Sequence, residues 1–295
     1  MDASEVLEVV DLADWSATVD AATQARAIAG LEAGRVVFLP HLAFSLWDSE
    51  REFLTPEAGD ASRKNVSRDP STGRTHGTAF EGEKLARLGS MLERYGAQAT
   101  ALVRALYPQY AASLEQARTS FRPAEIKGRE YTPRHDDRLL HVDAFPTRPM
   151  QGRRILRVFA NVAEDGTQRE WRVGENFSDF ARKFFPQLRG PLPGQSWAMH
   201  TLGLTKSRRS AYDHFMLGLH DAGKLDAGYQ ATAPKADVAF PPHTVWMCFT
   251  DSVLHAALAG RCALEQTIYV PVEAMARPEL APLRVLEGIA GRSLV

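Results

Sequence analysis

Cysteine is scarce: Cys248 and Cys262 are the only two in 295 residues. Two thiols cannot build a disulfide framework. Both lie in apolar stretches, which fits buried thiols in a reducing compartment. Neither sign of charge is in excess, since 35 Lys and Arg against 36 Asp and Glu leave a net charge of −1. That excludes the basic surplus of a general nucleic-acid binder but leaves room for a local basic patch. No run approaches the roughly 18 uncharged apolar residues of a membrane-spanning helix. The opening MDASEVLEVVDLADW is acidic where a secretory signal is basic, and it has no apolar stretch. A cytoplasmic protein is therefore expected. Gly and Pro, at 21 and 17, are not enriched, and no repeat or low-complexity tract occurs. Fibrous and wholly disordered chains are excluded.

What is present is an ordinary globular composition, 44% hydrophobic and 24% charged. The pattern changes near residue 120. Before it, the reading is mostly helical. Residues 18–33 are Ala-rich, and Leu85, Leu88, Leu92, Tyr95, Ala99, Leu102 and Leu106 recur every three or four positions, one stripe along a long helix that Pro108 ends. A short strand is expected at Arg35 to Leu39, and a long polar loop over 55–80. After residue 120, strands are expected at Ile155 to Val162, Ser196 to Leu204, Asp237 to Ala239, Thr244 to Thr250 and Ala263 to Val272, with helical inserts at 177–188 and 206–223. Short strands with polar turns point to a sandwich or jelly roll. The expectation is one α+β domain over 1–295: a mostly helical layer (1–120) on a jelly-roll core (121–295).

Nine histidines are available. His41, His76 and His135 fall in loops, and His243 follows two prolines. His214 and His220 are six apart on a helix, so they face different ways. These read as structural or solvated. His141 and Asp143 differ, because residues i and i+2 of an extended segment point the same way. His255, beside a strand-like run, is the best distant partner. Two imidazoles and one carboxylate form the facial set of non-haem Fe(II) oxygenases, with positions left open for a bidentate co-substrate and O2. Structural zinc normally closes four positions. On spacing alone the pattern is common, and a non-catalytic jelly-roll binding module remains open.

The surrounding wording is more specific. HVDAFPTRP (141–149), GRRILRVFANV (152–162), SRRSAYDHFMLGLHDAGKLDAGYQ (207–230) and PPHTVWMCFTDSVLHAALAGRCALEQTIYVP (241–271) carry a likeness running from near residue 10 to about 290. Through them the chain resembles the Kdo hydroxylase family, Fe(II)- and 2-oxoglutarate-dependent dioxygenases that 3-hydroxylate the sugar acid Kdo on Kdo-lipid A. The resemblance implies a double-stranded β-helix, with iron on His141, Asp143 and His255. It implies 2-oxoglutarate and O2 as co-substrates, ascorbate as an aid, and Ko as product. It also implies lipopolysaccharide modification in a Gram-negative bacterium, at the cytoplasmic face of the inner membrane. The alternative within the class is another substrate, a protein side chain or a small metabolite.

Many enzymes of this superfamily hold the far carboxylate of 2-oxoglutarate with an arginine about ten residues after the distal histidine. Here Gln266 lies in roughly that place and cannot neutralise a carboxylate. Arg157, on one strand face with Phe159 and Asn161, is expected to supply the charge, with Asn161 and Gln266 as neutral partners. The other reading of Arg157 is a pair with a buried Asp or Glu. Six arginines, Arg129, Arg134, Arg138, Arg148, Arg153 and Arg154, crowd the iron motif. An anionic substrate favours such groups, and Arg129, Arg134, Arg148 and Arg154 are the expected contacts. Phe177, Phe180 and Phe184, beside Arg182 and Lys183, suit either a membrane interface or, more simply, docking on the core.

Overall fold

Strands and helices are both spread along the chain in the computed structural model, which describes residues 1–60, 65–128 and 132–295. The strands are β1 (Leu7–Val9), β2 (Val36–Leu39), β3 (Val66–Arg68), β4 (Thr75–His76), β5 (Glu115–Arg122), β6 (Arg154–Asn161), β7 (Arg169–Gly174), β8 (Lys235–Phe240), β9 (Thr244–Phe249), β10 (His255–Ala259) and β11 (Ala263–Val270). The α-helices are α1 (Ala3–Val6), α2 (Ala21–Glu32), α3 (Gly82–Leu106), α4 (Phe177–Phe184), α5 (Gln195–Thr201), α6 (Ala211–Leu225), α7 (Ala227–Thr232) and α8 (Pro282–Ala290). One sheet runs β1-β2-β9-β6-β11-β5-β3-β4, and a second runs β10-β7-β8. The α+β class is as expected.

Alternation along the central strands sorts the two faces of the large sheet. Leu156, Val158 and Ala160 of β6 join Val245, Met247 and Phe249 of β9 and Leu264, Ile268 and Val270 of β11 in the core shared with α2 and α3. The intervening Phe159, Trp246 and Cys248 meet Trp171, Val173, Ala236, Val238 and Phe240 of the small sheet. Trp246 stacks on Phe240 with centroids 4.2 Å apart, and Phe159 meets Trp171 edge-on at 4.9 Å. This aromatic layer fills part of the gap between the sheets, and its Phe159 and Trp171 border the functional groups.

The expected apolar stripe of α3 is buried at Leu88, Leu92, Tyr95, Ala99, Leu102 and Leu106. The helix lies so close to the sheet that a Cβ on Gly96 would sit 2.5 Å from Thr119 Oγ1 and 2.8 Å from Gln266 Oε1. Only glycine permits that approach.

Several expectations are corrected. Residues 1–120 contribute strands β1 to β4 and most of β5 to the main sheet, so they are no mere helical layer. The 55–80 loop contains the β3–β4 pair. Ser196 to Leu204 is not a strand: α5 occupies 195–201, opening after Gly194 in the left-handed region. Its apolar residues lack strand neighbours, and Trp197, Leu202 and Leu204 stay exposed. The 206–223 insert begins later, as α6, where Ser210 and Asp213 close a reciprocal cap. The three phenylalanines of α4 are buried and its Phe180 and Phe184 rings pack on Tyr229. They face the core, so they are not available to a membrane.

Candidate metal and co-substrate site

His141 lies on an extended segment bridged to the first residue of β10. His141 N donates to His255 O at 3.1 Å, and His255 N donates to His141 O at 2.9 Å. Two residues on, Asp143 N donates to Thr250 O at 2.7 Å. These backbone bonds fix the three side chains relative to one another. One ligand atom from each of His141, Asp143 and His255 lies within 4.8 Å of the others, the only such cluster among the described residues.

The histidines are held in one tautomer. His141 Nδ1 is 2.7 Å from Leu139 O, and His255 Nδ1 is 2.8 Å from Val253 O. A carbonyl only accepts, so each Nδ1 carries the proton and each Nε2 keeps its lone pair. Burial lowers the pKa of both imidazoles, which keeps them neutral. Burial alone would raise the Asp143 carboxyl, but the Arg157 guanidinium beside it outweighs burial and holds it well below the usual carboxylate range. Asp143 Oδ2 is buried without a hydrogen bond. Two neutral imidazole nitrogens and an under-used carboxylate oxygen form a donor set that fits a divalent iron ion.

Beside these groups is a cavity of about 200 Å³, lined by the three residues with Arg122, Asp137, Arg157, Phe159, Arg169, Trp171 and Ala257. Trp171 stacks on the His255 ring at 5.3 Å. Arg157 is neutralised: its Nε is 3.2 Å from Asp143 Oδ2 and its Nη1 3.0 Å from Glu265 Oε1. Arg122 contacts the other oxygen of Glu265 at 2.9 Å and Asp137 at 3.4 Å. Arg169 is unlike both. It is buried, donates to Gly260 O at 2.6 Å, and leaves its Nε without a partner. Burial, aided by Arg122, pulls its pKa down to about 10.

A second cavity of about 310 Å³ shares Arg122 and Arg157 with the first. It adds Arg118, Phe145, Arg148, Lys206, Thr267 and Tyr269. Among the described residues, no carboxylate lies in ion-pair range of Arg148 or Lys206.

The structure thus gathers His141, Asp143, His255 and Arg157. Gln266 and Asn161 lie elsewhere. Gln266 pairs in register with Thr119 and Val158, accepts from Thr119 Oγ1 at 2.6 Å and donates to Ala117 O at 3.0 Å on the α3 side. Its neighbour Glu265, one residue earlier, is the one that faces the cavity. The Asn161 amide donates to Thr167 O and Phe240 O, closing a turn. Of the arginines expected to meet substrate, Arg148 lines a cavity. Arg134 pairs with Asp221 at 3.0 Å outside both cavities. Arg154 is buried against Asp251 at 2.8 Å, away from the cavities. Arg129 lies outside the described residues. Sequence reasoning missed Arg122, Arg169 and Glu265. Alternation carried the signal for Arg169, since Arg169, Trp171 and Val173 share one face of β7.

The chain matches the family model described as 3-deoxy-D-manno-oct-2-ulosonic acid (Kdo) hydroxylase over residues 14–293. It is similar to solved structures of the Kdo hydroxylase KdoO, a non-haem Fe(II) alphaketoglutarate-dependent dioxygenase. The complex with alphaketoglutarate and Fe(III) shows 43% identity over 98% of this chain and 97% of that one, with a TM-score of 0.95. The cobalt(II) complex shows the same identity and coverages, with a TM-score of 0.96. No curated protein matches the chain. Sequence and structure together place this chain in the Kdo hydroxylase family.

Proposed function

We propose that the chain hydroxylates C3 of Kdo on Kdo-lipid A to give Ko, using Fe(II), 2-oxoglutarate and O2. The observation that carries this reading is the His141, Asp143 and His255 cluster, with both Nδ1 protons committed to carbonyls. The Nε2 atoms and the Asp143 carboxylate are the iron ligands. When bound, the metal supplies the oxidising chemistry, through O2 and oxidative decarboxylation of the co-substrate.

The protein's own groups position and neutralise. Arg169 is the cation for the far carboxylate of 2-oxoglutarate, the role expected of Arg157. Arg157 instead steadies Asp143, and Glu265 holds Arg157 and Arg122 in place through its two oxygens. Phe159 and Trp171 give the first cavity an apolar wall that keeps water from the reacting centre. The second cavity, with Arg148 and Lys206, takes the sugar acid and its neighbouring anionic groups. The facing sheets are read as a double-stranded β-helix core and the whole chain as one catalytic domain. A lipid-linked acceptor places the enzyme at the cytoplasmic face of the inner membrane.

The test is mass spectrometry of Kdo-lipid A incubated with protein, Fe(II), 2-oxoglutarate and air. One added oxygen on the Kdo fragment is expected, absent without 2-oxoglutarate and absent with Asp143→Ala. Succinate without an oxidised sugar would reject the acceptor but keep the oxygenase. Neither product from iron-loaded protein would reject both.

A further inference from the structure

Among the described residues, four of the nine large apolar side chains that stay exposed fall within residues 192–204: Leu192, Trp197, Leu202 and Leu204. Leu192 and Leu202 are 71% and 73% exposed. The other five are scattered along the chain and call for no explanation. A cluster does. Residues 189–209 also carry Arg189, Lys206, Arg208 and Arg209 but no Asp or Glu, in a chain whose overall charge is −1.

The stretch is not a loose loop. Ser196 Oγ donates to Arg209 O at 2.7 Å, Lys206 N donates to Thr147 O at 2.9 Å, and Arg209 Nη2 donates to Pro146 O at 2.5 Å. Thr205 is buried between two exposed neighbours. The base of the segment is therefore pinned to the Pro146–Thr147 turn, three residues beyond Asp143. Its apolar side chains are turned outward. Thr147, Arg148 and Lys206 line the second cavity, so one short stretch carries both the apolar cluster and part of that cavity's cationic rim.

We infer that residues 189–209 are a docking element that seats the enzyme on a bilayer with anionic headgroups, the second cavity opening at headgroup level. Tryptophan and leucine enter the boundary between headgroups and acyl chains, while flanking Arg and Lys meet phosphates. Charge complementarity selects a lipid surface over a second copy of this chain, whose matching patch would be equally cationic. The inference rests on the reading above that the acceptor is lipid-linked. It moves the membrane contact from α4, whose phenylalanines are buried, to α5 and its flanks.

The experiment is flotation of full-length protein with vesicles of phosphatidylethanolamine and phosphatidylglycerol, against vesicles of phosphatidylcholine alone. The W197S/L202S double variant is compared with wild type. In parallel, succinate release is measured on detergent-dispersed Kdo-lipid A. Wild type is expected to float with the anionic vesicles and far less with phosphatidylcholine. The variant's bound fraction falls by about tenfold, because two apolar insertions are lost, while its turnover in detergent is unchanged. Both changed residues are exposed, so folding is not at stake, and the turnover confirms it. Wild type that stays unbound, or a variant that floats like wild type, overturns the inference. So does a wild-type dimer that becomes monomeric in the variant without any flotation. Flotation as expected with no turnover by wild type in detergent supports docking and rejects the proposed reaction, so the two failures are distinguishable.

Discussion

Arg169 differs from the cavity's other two arginines in having no carboxylate within ion-pair range among the described residues. A buried guanidinium without a counter-ion is costly, and the lowered pKa of Arg169 records that cost. In the proposed role, an incoming dicarboxylate would remove it. The Arg169→Ala variant is therefore expected to raise the apparent KM for 2-oxoglutarate by about 10- to 100-fold, the worth of one charge-assisted hydrogen-bonding contact. Its affinity for Fe(II), read as metal-induced stabilisation of the fold, should hold. Arg157→Ala should do the reverse, because it releases Asp143. Steady-state kinetics with metal titration of both variants checks this. An unchanged KM in Arg169→Ala would return the anchor to Arg157. Little in the sequence separates these arginines. His141 and Asp143 could be paired because a period of two is local. That Arg157 meets Asp143 and Glu265 while Arg169 meets neither depends on three strands distant in sequence.

At the scale of the element, one residue of register decides the role of Gln266. Counting eleven positions from His255 lands on it, but β11 sends Glu265, Thr267 and Tyr269 to the cavity side and Gln266 to α3. Gln266→Leu should leave the KM for 2-oxoglutarate within twofold of wild type. It should also destabilise the fold by about 1–3 kcal/mol, because buried Thr119 and Ala117 groups lose their partner. Denaturant unfolding beside the kinetic assay measures both. A large KM change would put Gln266 at the co-substrate after all. The α3 stripe was legible because a 25-residue helix repeats its signal many times. β3 and β4 were not, since strands of three and two residues carry almost no periodicity. α5 was misread because Trp, Met and Leu in a short run suit a buried strand as well as a helix, and nothing local reports that they stay exposed.

Across the whole molecule, the first 120 residues are bound into the sheet that carries the site. β5 pairs with β11 from Ala263↔Arg122 to Tyr269↔Glu115, with a shift after Gln266. β2 pairs with β9, and α2 and α3 cover the sheet's rear face. A fragment of residues 121–295 would lose α2, α3 and both flanking strand groups. β9 and β11 would become open edges with uncovered Leu264, Ile268, Val245 and Met247, which invites aggregation. Arg122 would also lose the strand that aims it at Glu265. The full chain should therefore unfold in a single thermal transition, and Fe(II) with 2-oxoglutarate should raise its midpoint by binding only the folded state. The 121–295 fragment should be insoluble, or soluble without near-UV dichroism and without that shift. Calorimetry on the full chain and circular dichroism on the fragment measure these. Two separate transitions, or a folded fragment that still responds to metal, would show that the site is housed in a smaller autonomous unit. The N-terminal residues would then be an accessory layer, as the helical pattern of the first 120 residues alone suggests.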